Sequence, residues 1–331
     1  MQALAISYKG MEDITALELK ELTNAKTSIK ESCVIFEIKD LEDLNNLSKK
    51  AQSINRLLVL LDNFKINKIN DLTRISEIDL SSWLEDKTFA ARCEIFENKK
   101  LDAREIEKTT GDQIEGKVNL DNPDITIFIY IYKDECYIGI DFYGDLSKRN
   151  YKIITSRFDL KGTIAYALVR LSGFDRTGIL VDPFCATGTI VIEAALFANR
   201  SNKFNSGKTN IYGMDKRIRA AEQNSKAAGI RKCIHLDTAD LNIFKENEIS
   251  SIASNPPRFT KYSSKAKIWQ EFNDFFCQAK IVLRKNGKIV LCSNKTDKLK
   301  ETAQTAGFNL LEEREIRHGQ ETLKIVTFLK P

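Results

Sequence analysis

The amino-acid sequence predicts an α/β protein. Its larger, C-terminal part is a doubly wound, mostly parallel sheet, preceded by two smaller α/β modules. Two observations carry this. From Leu160 onward, short apolar strands alternate with helices of larger size, the pattern of βαβ units. Within that stretch, Ile179-Leu-Val-Asp-Pro-Phe-Cys-Ala-Thr-Gly-Thr-Ile190 reads as a strand, a tight turn and the start of a helix. Charge also reverses along the chain. Residues 1–150 hold 21 Lys/Arg against 28 Asp/Glu, a net of −7, whereas residues 151–331 hold 30 against 18, a net of +12.

Residues 1–62 form the first module. Leu4–Tyr8 is an apolar strand, and Met11–Leu22 sets Ile14, Leu17, Leu19 and Leu22 at roughly helical spacing. Val34–Ile38 is a second strand, Leu41–Ser53 a helix and Leu57–Asp62 a third strand. Residues 63–145 form the second. Asp71–Ile78 is helical, Phe89–Ile95 a strand, and Asp102–Ile114 a helix with Ile106 and Ile114 inward. Ile125–Tyr132 and Tyr137–Phe142 make a hairpin around Lys133-Asp134-Glu135-Cys136.

Residues 146–331 form the third part. Leu160–Leu171 is a helix, Gly178–Pro183 a strand, Thr189–Asn199 a helix and Asn210–Met214 a strand. Ala220–Ala228 is a helix, and Cys233–Thr238 and Ile249–Ser254 are strands. Lys265–Leu283 is a long helix, Lys288–Ser293 a strand and Asp297–Ala306 a helix. Asn309–Ile316 and Thr322–Leu329 close the sheet as a strand pair. Such sheets bind ligands beyond the carboxyl ends of their strands, at the switch point.

A chain of 331 residues suits two or three domains. It contains no run of about 18 apolar residues, so no membrane span is expected. The N-terminus lacks the parts of a signal peptide. Seven scattered cysteines without a C-x-x-C pair, and only two histidines, argue against zinc or any other metal centre. They read as free thiols in a reducing cytoplasm. The basic second half suits a polyanionic partner, although a solvated Lys-rich surface would show the same charge.

Four short segments carry the chemistry. In the strand–turn–helix, Asp182 ends the strand. Ala186 and Gly188 let backbone approach a ligand, and the helix start at Thr189 offers free N–H groups to a carboxylate. Such a turn also occurs with no ligand. Asp215, in Tyr212-Gly213-Met214-Asp215, ends the second strand, where a carboxylate can accept from two ribose hydroxyls or simply cap the next helix. Its 33-residue separation from Asp182 exceeds a compact βαβ step, and the polar stretch Arg200–Asn210 supplies the excess as an inserted loop. Asp240 can accept from an adenine amino group, with Leu241 on the ring face, or serve as a cap. Ala253-Ser-Asn-Pro-Pro-Arg-Phe259 follows a strand at the mouth of the sheet. Pro256 and Pro257 fix φ near −65° and remove two donors, which either leaves the Asn255 side-chain oxygen and the Pro256 carbonyl to accept from one amino group or simply makes a rigid surface turn.

Asp182-Pro-Phe-Cys-Ala-Thr-Gly-Thr189 together with Asn255-Pro-Pro257 resembles the amino-methyltransferases, whose motif is [D/N/S]-P-P-aromatic. Leu146-Ser-Lys-Arg-Asn-Tyr151 and Phe158–Leu168 resemble the junction of THUMP-containing RNA methyltransferases. Phe89–Arg92, Asp102–Ile106, Val118–Asp124 and Tyr137–Asp141 resemble the THUMP module itself, and residues 1–62 the ferredoxin-like segment before it. Within this group the chain is similar to the tRNA guanine-N2-methyltransferases of the acceptor-stem, position-6 type.

The resemblance implies a Rossmann-like seven-stranded methyltransferase sheet over residues 146–331, with S-adenosylmethionine as cofactor. It implies that Thr163, Asp182, Phe184, Ala186, Gly188 and Thr189 surround the methionine part, that Asp215 holds the ribose, and that Asp240 and Leu241 hold the adenine. Asn255, Pro256 and Pro257 would form the reaction centre. The partner would be tRNA, its 3′ end gripped by the THUMP module, and the protein a cytoplasmic monomer without metal. Two positions depart from the pattern. Ala186 replaces a glycine, and Arg258 replaces the aromatic that stacks on the target base, with Thr260 and Lys261 in place of the usual Gly and Arg. Arg258 itself, Phe259 or Tyr262 could provide a stacking surface. The same residues also allow methylation of another tRNA site, of ribosomal guanine or of an adenine N6 amine. A non-catalytic RNA-binding partner of the same fold is a further alternative.

Overall fold

The computed structural model describes residues 1–200, 210–259, 264–318 and 321–331. The chain divides into two compact units, Met1–Leu146 and Ser147–Pro331.

The first unit is built on one mixed sheet. Its strands are β1 (Gln2–Ile6), β2 (Thr27–Lys30), β3 (Cys33–Glu37), β4 (Arg56–Lys65), β5 (Thr88–Phe96), β6 (Lys117–Val118), β7 (Ile125–Tyr132) and β8 (Glu135–Asp141). They lie in the order β2-β3-β1-β4-β8-β7-β5-β6. The helices are α1 (Glu12–Thr23), α2 (Leu41–Lys50), α3 (Ser81–Leu84) and α4 (Ala103–Gln113). β4 crosses the 62/63 position and pairs with β1 on one side and β8 on the other, so the first two modules share a continuous sheet.

The period of two along each strand builds two apolar layers. Ala3, Ala5, Leu57, Val59, Ile127 and Ile129 join a cluster completed by Leu19 of α1, Leu44 and Leu47 of α2 and Ile106 of α4. The alternate residues Leu4, Ile6, Leu58, Leu60, Phe128 and Tyr130 form a second cluster with Tyr137.

The second unit carries β9 (Leu180–Asp182), β10 (Ile211–Met214), β11 (His235–Asp237), β12 (Ile249–Ser254), β13 (Leu283–Ser293), β14 (Asn309–His318) and β15 (Glu321–Leu329). Its helices are α5 (Gly162–Leu171), α6 (Thr189–Asn199), α7 (Arg219–Ala227), α8 (Lys265–Val282) and α9 (Asp297–Thr305). The seven strands run in the order β11-β10-β9-β12-β13-β15-β14. β9 to β13 are parallel, while β15 is antiparallel to both β13 and β14. From β9 the chain winds outward to β10 and β11; from β12 it winds the other way to β13. The switch point therefore lies between β9 and β12, whose carboxyl ends are Asp182 and Ser254. On one face, α8 buries Phe272, Phe275, Phe276 and Ala279 against Ile252, Ile289 and Leu291 of the sheet. α5 and α6 are apolar nearly all round and are almost fully buried.

Several boundaries differ from the sequence reading. β2 was not expected: it is an edge strand with Ile29 exposed, so it has no apolar alternation to read. β13 starts at Leu283, directly after α8, rather than at Lys288. Its first half is polar, and Asn286 has φ 59°, which reads as a turn. The stretch after β4 forms a 3-10 helix over Ile69–Glu77.

Candidate active site

The strand–turn–helix after β9 is tightly bonded. Cys185 N–H donates to the Met214 carbonyl at 2.9 Å, and Gly188 N–H donates to the Cys185 carbonyl at 2.7 Å. Gly188 has φ 83°, and a Cβ there would lie 2.9 Å from the Ala221 Cβ of α7, so glycine is required for both reasons. Ala186 adopts φ 45°, the left-handed region, with the smallest side chain that has a Cβ. Its N–H donates to Asp215 Oδ2 at 3.1 Å, while Asp215 Oδ1 accepts from Arg217 N–H at 3.0 Å. Asp215 thus ties the first turn to the end of β10.

Asp182 is 1% exposed. Its Oδ1 accepts from the Ser254 hydroxyl at 2.5 Å and from Phe184 N–H at 3.2 Å. Burial pushes its carboxyl up to about 7; these hydrogen bonds oppose the rise, and the Asp215 charge adds to it. Asp240 caps a short 3-10 turn, accepting from Asn242 N–H at 3.0 Å. Leu241 behind it is buried in the core beside the sheet. Thr163 is buried in the first turn of α5.

Asn255 follows β12. Its Nδ2 donates to the Phe158 carbonyl at 3.0 Å, whereas its Oδ1 is buried without a hydrogen-bond partner among the described residues. Pro256 is buried and Pro257 half-buried. Arg258 is not an open stacking surface: its side chain is 3% exposed, and Nη1 donates to Glu321 Oε2 of β15 at 2.6 Å. Phe259 is also buried, its ring 4.3 Å from that of Trp269 between centroids. Thr260, Lys261 and Tyr262 lie outside the described residues, as does most of the Arg200–Asn210 insertion.

A cleft brings together Asp182, Phe184, Ala186, Thr189 and Asn255, and its lining also includes Asp159, Leu160, Cys185, Thr187 and Ile190. Gly188 and Asp215 are hydrogen-bonded to this turn and are not among the lining residues. Asp240, Leu241, Thr163, Arg258 and Phe259 are not among its lining residues. Sequence reading missed the segment before α5 as part of the site. That segment is anchored by buried polar groups. Glu193 of α6 is fully buried and accepts from Arg149 Nε at 2.8 Å and the Tyr151 hydroxyl at 2.7 Å. Asn224 of α7, also fully buried, accepts from Ile154 N–H at 2.9 Å and donates to the carbonyls of Ile154 at 2.8 Å and Thr187 at 3.0 Å. In Glu222-Gln-Asn-Ser225, Asn224 carries no sign of burial. Among the described residues, no group of metal-ligating side chains comes together, and no helix is long and apolar enough to cross a membrane.

A seven-stranded sheet of this order, with a cleft and an Asn-Pro-Pro loop at its switch point, defines the Rossmann-like methyltransferase class. The chain belongs to the RMKL-like methyltransferase domain family, whose model matches residues 149–324, and the THUMP domain model matches residues 68–141. The tRNA (guanine(6)-N2)-methyltransferase of Methanocaldococcus jannaschii is 27% identical over 361 residues, covering 94% of this chain and 95% of its own length. The enzyme of the same name from Archaeoglobus fulgidus is 24% identical, covering 97% and 90%. The crystal structure of SMU.472, a candidate methyltransferase complexed with SAH, superposes with a TM-score of 0.80 at 19% identity, covering 100% of this chain and 98% of that one.

Proposed function

We propose that this protein transfers a methyl group from S-adenosylmethionine to the exocyclic N2 amine of a guanosine in tRNA. The observation that carries the reading is Asn255: one end of its amide is fixed to the Phe158 carbonyl, and its other end is a buried acceptor without a partner, at a cleft. An acceptor held in one orientation suits an amine that must meet an electrophile in line. The names of both archaeal relatives support tRNA guanine as substrate, and the SAH of SMU.472 supports the cofactor.

The cleft fits such a cofactor chemically. It joins a buried carboxylate, an apolar ring, a turn closely packed at Gly188 and a helix N-terminus, a combination suited to a ligand with charged and apolar parts. When bound, the cofactor supplies a methyl group activated by a sulfonium. Asp182, Phe184, Ala186 and Thr189, which line the cleft, would hold its methionine part together with Gly188 and Thr163; beyond the cleft lining, Asp215 would hold its ribose and Asp240 with Leu241 its adenine. The base is extruded from the RNA at a cost of a few kcal/mol. Asn255 Oδ1 and the Pro256 carbonyl then accept from its amine, and Pro257 stiffens the loop. Catalysis is mainly positioning.

In this reading residues 63–145 grip the 3′ end of the tRNA, residues 1–62 extend that module, and residues 146–331 carry the chemistry. The protein works as a cytoplasmic monomer without metal. The test is incubation with isotope-labelled cofactor and bulk tRNA, followed by nucleoside mass spectrometry. N2-methylguanosine is the expected product. N6-methyladenosine would replace the substrate assignment, and RNA binding without any methylated nucleoside would mark a non-catalytic partner. Asn255→Ala is expected to lower transfer by at least about a hundredfold while cofactor binding persists. Transfer at the parent rate would remove Asn255 from the reaction centre.

A further inference from the structure

A flipped base needs two restraints: hydrogen bonds in its plane, and a ring face or apolar surface above or below it. Asn255 offers the first. Neither residue that follows the prolines offers the second. Arg258 is sequestered against Glu321, and Phe259 is spent on Trp269. Phe184 packs on Phe275, with ring centroids 5.7 Å apart.

Phe158 differs from all of these. It is only half-buried, and its carbonyl holds the Asn255 amide. It immediately precedes Asp159 and Leu160, which line the cleft. The Arg258 guanidinium lies over its ring, 5.3 Å from the centroid, and Nε and Nη2 of that guanidinium are buried without hydrogen-bond partners among the described residues. A buried cation with two idle donors is costly unless another interaction offsets it, and the ring's π face is one such interaction. The exposed Arg157 guanidinium also lies over the ring, at 5.4 Å.

We propose that Phe158 is the stacking platform for the target base and that Arg258 clamps it. This rests on the reading of Asn255 as the amine acceptor. The arginine after Pro257 then preserves base binding: it holds an aromatic ring, borrowed from the segment before α5, beside the acceptor.

The test uses the full-length protein, labelled cofactor and two tRNA transcripts, one natural and one with 2-aminopurine at the methylated position. Phe158→Leu keeps the apolar bulk but lacks a ring; Phe158→Trp restores one. Phe158→Leu is expected to lower kcat/KM for tRNA by about tenfold to a hundredfold, with cofactor Kd unchanged. Phe158→Trp should recover most of that loss. Extrusion should brighten 2-aminopurine on binding, and stacking on the ring should quench it again, so that it is dimmer with the parent and the Trp variant than with Leu. Parent-like kcat/KM for Phe158→Leu would overturn the proposal. So would a lost rate with unchanged quenching, or one accompanied by lost cofactor affinity, since the ring would then be structural. If the parent protein transfers no methyl group, the methylation reading fails, and the quenching comparison alone decides the role of Phe158.

Discussion

At the scale of single residues, Asp182 couples burial to pH. An ordinary aspartate releases its proton near 3.8, whereas this one keeps it to about 7 in the folded protein. The folded state therefore binds that proton more tightly than the unfolded chain. Its contribution is complete below about 4 and is lost as pH rises through about 7, amounting to about 4 kcal/mol. The ligand-free parent should lose Tm between pH 4 and 7 relative to Asp182→Asn. Cofactor affinity should rise over the same interval, because the ionised carboxylate is the form that attracts a cation. Parallel melting curves for the two proteins would sink this assignment. Two neighbours in the turn should respond in opposite directions. Gly188→Ala places a Cβ 2.9 Å from Ala221 at φ 83°, and a loss of about 2 kcal/mol or more is expected. Ala186→Gly relieves a left-handed alanine at φ 45° and should be neutral or stabilising by up to about 1 kcal/mol. Thermal denaturation of both variants checks the pair.

At the scale of elements, the site depends on a segment without regular structure. Asn224 joins α7, the turn after β9 and residue 154 through three hydrogen bonds. Asn224→Ala strands a buried N–H and two carbonyls, at a cost of about 2–3 kcal/mol. It should also weaken binding of the proposed cofactor, because Thr187 lines the cleft; calorimetry against the parent checks both effects. This dependence marks the limit of what sequence could reveal. The alternating strands and helices of the second unit were legible because apolar period and turn residues both point to the sheet, and a sheet of that type locates its own ligand site. Asn255 and Asp182 were legible because strand ends and prolines mark them. Asn224 and Glu193 were not, because each acts through a partner distant in the chain, and neither stands in a local pattern. Arg258 was misleading for the same reason. Beside two prolines it reads as a surface for the base, yet Glu321, 63 positions on, draws it inward.

At the scale of the whole molecule, the uneven charge predicts where RNA is captured. The first half is net acidic, so general attraction for phosphates falls to the second. Lys216, Arg217 and Arg219 are exposed and follow Asp215 at the carboxyl end of β10, on the side of the sheet where the cleft opens. Each phosphate neutralised by such a side chain contributes about −0.9 to the slope of log K against log salt for duplex nucleic acid. Replacing all three by alanine should make that slope shallower by about 2 to 3 for tRNA. The loss of affinity should be uniform across tRNA sequences, and cofactor binding should stay at the parent level. Filter binding at several salt concentrations, with cognate and non-cognate tRNA, separates this from the role expected of the THUMP-matched unit. Recognition of an end contributes selectivity and little salt dependence; contacts to phosphates do the opposite. If the triple variant kept the parent slope, the phosphate contacts would lie elsewhere, and the excess charge of the second half would be only a solvated surface.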